Sequence, residues 1–204
     1  MTFNFLQTFC TPINMSPIFN AGYAIPIRRD IAELKNFVAE LNALTAGTDK
    51  KIYLLASSAL YNANTLRASA LPERHDALPS LMTAADIDLR DGFPTRFFDA
   101  DFVIVSEPIQ THLLPKDQAV VVKLAQWLTL PSPILRHFKP IRQYTFRPEA
   151  DDVEEVTFTV YEKVSPLEKS DIDFAEKIFV ELYPDKDDLF KNRFEQYKAQ
   201  HFKE

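Results

Sequence analysis

Apolar residues recur at helical spacing soon after the chain begins. Ile31, Leu34, Phe37, Val38, Leu41 and Leu44 fall on one stripe of a helix. Asp30 is placed to cap its start and Gly47 to stop it. The period then changes. KKIYLLASS (50–58) is an unbroken apolar run behind lysines, the look of a buried parallel strand. SALYNANTLRAS opens from it and suits a helix or helical turn, whereas 69–84 is polar, punctuated by proline and reads as a loop. DIDLR and DFVIV give two more strands, at 86–90 and 102–106. A helix from about Asp117 to Leu130 follows, with Val121, Leu124, Ala125 and Leu128 on one face. IRQYTFR (141–147) and VTFTVYEKV (156–164) both alternate, and the acidic PEADDVEE between them makes an antiparallel hairpin.

Beyond Pro166 the periodicity is helical again. Ser170 or Asp171 is placed to cap a helix carrying Ile172, Phe174, Ala175, Ile178, Phe179 and Leu182. A second, charged helix after Tyr183-Pro184 bears the stripe Leu189, Phe190, Phe194, Tyr197, which faces either the core or a partner. The succession predicts an α/β fold, a three-layer Rossmann-like sandwich. Its mostly parallel sheet comes from 51–57, 86–90 and 102–106, and a C-terminal antiparallel hairpin and terminal helices complete it. Residues 1–29 mix aromatic residues with proline and form an N-terminal arm or connector. Residues 30–166 make the α/β domain, and 167–204 a C-terminal helical extension.

Composition narrows the chemistry. The chain has 204 residues, enough for one sizeable core. With only Gly22, Gly47 and Gly92 available, glycine-rich nucleotide loops are almost excluded. A net charge of −6 with dispersed basic residues gives no footprint for nucleic acid. Cys10 is the single cysteine, so no intrachain disulfide forms, and no two histidines stand at i, i+4. Neither a metal nor a cofactor is expected. No stretch approaches the run of about 18 apolar residues that spans a bilayer, and the N-terminus lacks a charged signal-peptide start.

Candidate chemistry gathers where buried strands feed polar loops, because open α/β sheets build ligand crevices at the carboxyl ends of their strands. Ser57 and Ser58 end the first strand, with Asn62 just beyond; hydroxyls and backbone N–H groups there suit an anion or serve as local caps. SEPIQTH supplies Glu107, Gln110 and His112 at the end of the apolar strand, a carboxylate and an imidazole able to act as acid and base. Arg90 and Asp91 in the DLRDGFP turn could orient a polar ligand or form a surface pair. No nucleophile at a recognised spacing accompanies them, so these residues are binding candidates and none is assigned as catalytic.

A family resemblance rests on these same segments. The order PIRRDIAEL…LNAL (26–44), KIYLLASS (51–58), DLRDGFP (88–94), ADFVIVSEPIQTHL…DQ (100–118) and VTFTVYEK (156–163) resembles the soluble tail of some bacterial polytopic glycosyltransferases. Those are GT-C-type proteins akin to the dolichyl-phosphate-mannose–protein mannosyltransferases. The resemblance implies a non-catalytic domain on the extracytoplasmic face of the cell membrane, joined to the membrane portion of the same polypeptide. It would help bind or position a glycan or protein acceptor, while the catalytic residues belong to the membrane portion and are carried by nothing in this chain. Residues 1–29 would be the connector. Two other classes stay open from the residues themselves. One is a free-standing Rossmann-like transferase using a nucleotide or S-adenosylmethionine-type ligand near Ser57 and Glu107. The other is a protein-interaction module using 167–204.

Overall fold

The computed structural model describes residues 30–69, 78–83, 94–148 and 155–202. The expected arm at 1–29, the strand at 86–90 and the pair Arg90 and Asp91 lie outside the described residues. Among the described residues five strands form one open sheet: β1 (Ile52–Leu55), β2 (Leu81–Thr83), β3 (Phe102–Glu107), β4 (Phe138–Phe146) and β5 (Val156–Lys163). Their order is β2-β1-β3-β5-β4. β1 pairs in parallel with β2 and β3, and β5 pairs antiparallel with both β3 and β4. Four strands therefore point one way and β5 alone runs against them.

β2 corrects the expectation of an unbroken loop over 69–84. Its three residues are too few to show a period in the sequence, yet Met82 pairs with Tyr53, and Ser80 extends the contact by accepting the Ile52 N–H (2.9 Å). The hairpin forms as expected from the alternation, with its first strand beginning earlier, at Phe138. β4 is the sheet's edge; its pairing shifts register between Pro140 and Arg142.

Strand residues of opposite parity enter two separate cores. One contains Ile52, Leu54, Phe102, Ile104, Phe158 and Val160, together with α1 (Ile31–Thr45) and α2 (Ala63–Ser69). Leu34, Phe37, Val38 and Leu41 bury the predicted α1 stripe, although Ile31 stays exposed. Phe158 is the hub, with ring centroids 5.2 Å from Phe146, 5.3 Å from Tyr61 and 5.7 Å from Phe37. Such tilted and edge-on contacts add to the apolar burial that drives the packing. Asp30 does not cap α1. Its buried carboxylate instead accepts the Tyr61 hydroxyl (3.0 Å), trading a local cap for a tie between distant segments. Gly47, just past the helix, has φ of 69°, a left-handed conformation in which a Cβ would be strained.

The second core holds Tyr53, Leu55, Val103, Val105 and Tyr161. It is filled by α3 (Thr95–Asp99), α4 (Ala119–Thr129), α5 (Lys169–Leu182) and α6 (Asp187–His201). Phe190, Phe194 and Tyr197 of α6 are buried in it, so these three positions of the expected stripe face the core, while the Leu189 side chain lies outside what the structure describes. The α5 start also differs from expectation. Glu168 is the N-cap, and Asp171 sits at the third helical position, closing a reciprocal capping box in place of capping the helix itself.

Candidate functional site

β1 and β3 are adjacent and parallel, so their carboxyl ends lie side by side and bring Ser57 next to the loop after Glu107. That loop folds back onto β1. Ser57 N–H donates to the Gln110 carbonyl (2.8 Å), and Gln110 N–H donates to Ser106 Oγ (3.0 Å). Gln118, fully buried at the start of α4, ties the rest together. Its Oε1 accepts the N–H groups of His112 and Leu113 (both 3.1 Å), and its Nε2 donates to Ser57 Oγ (2.9 Å). Ser58 Oγ accepts the Tyr61 N–H (3.0 Å), while Asn62 donates to the Ser58 carbonyl (2.9 Å) and accepts from Thr65 N–H (2.9 Å). Ser57, Gln110 and His112 are thus brought together, and Ser58 and Asn62 serve the adjoining turn into α2.

This arrangement does not build a nucleophile. His112 Nδ1 lies 3.1 Å from the Ser57 carbonyl oxygen, which can only accept, so Nδ1 carries the proton. It cannot then take a proton from Ser57 Oγ, 3.4 Å away. The crevice predicted between the two strands is filled by its own loop.

Glu107 goes elsewhere. It shares the parity of Val105 and lines a groove of about 550 Å³ on the sheet face. Val105, Glu107, Thr159 and Tyr161 come from β3 and β5, Thr129 from the end of α4, and residues 140–143 from β4. Tyr161 is only 8% exposed, yet its hydroxyl has no hydrogen-bond partner among the described residues. Burial first, and the Glu107 charge second, push its phenol above the ordinary tyrosine range, so it stays a neutral donor. Gln143 Nε2 reaches Thr159 Oγ1 at 3.4 Å. Arg142 is held by Glu40, which also accepts the Tyr144 hydroxyl (2.6 Å). The Glu107 carboxylate has neither an ion pair nor a hydrogen bond among the described residues.

A third cluster lies at the start of α5. Ser165 Oγ is 2.8 Å from His137 Nδ1, and His137 Nε2 is 2.9 Å from Asp171 Oδ2. The order Ser–His–Asp is that of a nucleophile, base and orienting acid. Here, however, Asp171 also accepts the Glu168 N–H (2.8 Å) and Arg136 Nη2 (3.0 Å), and Arg136 Nε lies 3.0 Å from the same His137 Nε2. His137 and Asp171 are both buried, and none of the three residues lines the groove. The cluster is a clasp that joins the turn before β4 to α5.

Among the described residues no group of His, Cys, Asp and Glu could hold a metal ion, and no helix is long and apolar enough to cross a membrane. Compared with known proteins, the chain matches no family model, no curated protein and no solved structure. Of the groove residues, the sequence reading found only Glu107. Tyr161 and Thr159 share one face in the alternation of VTFTVYEK, a signal that points to the sheet face opposite Phe158 and Val160.

Proposed function

We propose that this chain is a non-catalytic domain that binds or positions an acceptor in the groove beside Glu107. In the same reading it is the extracytoplasmic domain of a polytopic membrane glycosyltransferase, partnered by the membrane portion of its own polypeptide. One observation carries the binding role: the crevice groups satisfy one another, while the groove presents the Tyr161 hydroxyl and the Glu107 carboxylate with no partner among the described residues. A phenol on the wall of an open groove is satisfied by water, which a ligand hydroxyl can replace in kind. The membrane placement is supported by the ordered run of motifs from Pro26 to Lys163. The two cores, with helices entering both, support a three-layer Rossmann-like architecture. A nucleotide or S-adenosylmethionine-type transferase is disfavoured because loop 108–118 occupies the strand ends such ligands use.

The test is the intact mass of the native gene product after separation of membrane and soluble fractions. A membrane-bound product larger than 23.4 kDa is expected, and a soluble product of 23.4 kDa overturns the reading. Sugar transfer from a polyprenyl-phosphate sugar by the isolated chain would equally refute the non-catalytic role.

A further inference from the structure

We infer that the groove along β5 is a saccharide subsite in which Glu107 and Tyr161, four residues apart along the sheet, hydrogen-bond the hydroxyls of one oligosaccharide. The inference rests on the binding role proposed above and supplies its ligand class. Charge is the first argument. Among the described residues Glu107 brings a carboxylate without a counter-ion, and the guanidinium of Arg142 is engaged by Glu40, so a phosphate or carboxylate ligand would meet net repulsion from these groups. Hydrogen-bonding capacity is the second. Glu107 accepts only, Tyr161 has its O–H to donate and its oxygen to accept, and Thr159 and the Gln143 amide can do both. That mixture matches hydroxyl groups, each of which donates and accepts. Apolar surface is the third. Val105, Pro140 and Ile141 line the same trough, together with the Tyr161 ring, and suit the C–H faces of a pyranose. The volume of about 550 Å³ lies within the ordinary range of small-ligand sites.

Burial and the nearby Glu107 charge both raise the Tyr161 phenol, which keeps its proton available to a neutral ligand. Glu107 is exposed at the carboxyl end of β3 and Tyr161 is buried deeper along β5, so an oligosaccharide entering from solvent meets the acceptor before the donor.

The experiment is an NMR titration of the ¹⁵N-labelled chain. Its probes are cellotriose, maltotriose and chitotriose as neutral saccharides, glucose 6-phosphate as an anion and 1,6-diaminohexane as a cation. At least one trisaccharide is expected to shift the amides of Glu107, Gln143, Thr159 and Tyr161, and glucose 6-phosphate is expected to bind more weakly. Tyr161→Phe removes one hydroxyl and should weaken the trisaccharide about tenfold. Glu107→Gln should weaken it only a few-fold, because an acceptor oxygen remains. The unchanged remainder of each variant's spectrum would certify folding. Shifts elsewhere only, or equal binding by wild type and Tyr161→Phe, would overturn the inference. Tighter binding of the diamine, lost in Glu107→Gln, would reassign the groove to a cation and leave the binding role standing. Sugar transfer by the isolated chain would instead refute the non-catalytic role and leave the subsite intact.

Discussion

Replacing Asp171 by alanine should cost about 2.5–4 kcal/mol of folding stability, the sum of a hydrogen bond to a buried charge and a lost helix cap. Its carboxylate is 1% exposed, accepts from Glu168 N–H (2.8 Å) and Arg136 Nη2 (3.0 Å), and lies 2.9 Å from His137 Nε2, which itself faces Arg136 Nε at 3.0 Å. The Arg136 side chain is half exposed, so water replaces that bond at little loss. The bond from the Glu168 N–H, which closes the capping box, is the substance of the effect. A hydrogen bond to a charged group contributes about 1.5–3 kcal/mol, and a lost helix cap about 1 kcal/mol. Buried His137 would be left beside the space the carboxylate had filled. Asp171→Asn keeps an oxygen for the Glu168 N–H while surrendering the charge, and should lose about half as much. Urea denaturation, with the midpoint and the slope both fitted, measures the difference. Hydrogen exchange should show protection falling first in α5 and the turn before β4, with β1 retaining most of it. An Asp171→Ala protein within about 1 kcal/mol of wild type at unchanged slope would refute the clasp.

Phe158→Ala removes the hub of the aromatic core and should cost about 3–5 kcal/mol in the same denaturation assay. Gln118→Ala strands two N–H groups of the loop and the Ser57 hydroxyl; a loss of about 1–3 kcal/mol and faster proteolysis within 108–117 are expected. Tyr197 donates to Asp99 Oδ1 (3.1 Å), and burial followed by the Asp99 charge raises its phenol well above the ordinary value. A raised folded-state pKa means that this contribution is fully present below the unfolded value of about 10 and is lost as pH climbs through and beyond it. Melting temperatures between about pH 8 and about pH 11 should therefore fall less steeply in Tyr197→Phe than in wild type.

What was legible in the sequence followed from periodicity that burial enforces. The α1 stripe was readable because Leu34, Phe37, Val38 and Leu41 must all face one core. β1 and β3 were readable because they are buried along nearly their whole length and hence apolar without interruption. β2 was not, since three residues at a sheet edge carry no period. Asp30 does not serve as a local cap because its carboxylate is spent on Tyr61, distant in sequence, whereas Asp171 does cap locally, from the third helical position onto the Glu168 N–H. The candidate site fared similarly. Ser57 and His112 do meet, but sequence adjacency to strand ends could not reveal that Gln118 would close the space between them. Glu107 is expected in the strand-end crevice and instead lines the groove, whose other walls are cross-strand neighbours about 50 positions away, such as Tyr161 and Thr159, and so beyond the reach of local pattern.

The register shift at the outer edge of β4 bears on how this chain behaves when crowded. An edge strand is a template for another chain, and β4, at nine residues, is the longest strand of the sheet. Pro140 offers no N–H to a newcomer, the irregularity between Pro140 and Arg142 breaks the repeat a second strand would have to follow, and Lys139 places a like charge on both copies. Two molecules brought edge to edge would therefore find neither matching spacing nor compatible charge. Many copies held close together on one surface could keep their grooves facing solvent without zipping into a shared ribbon.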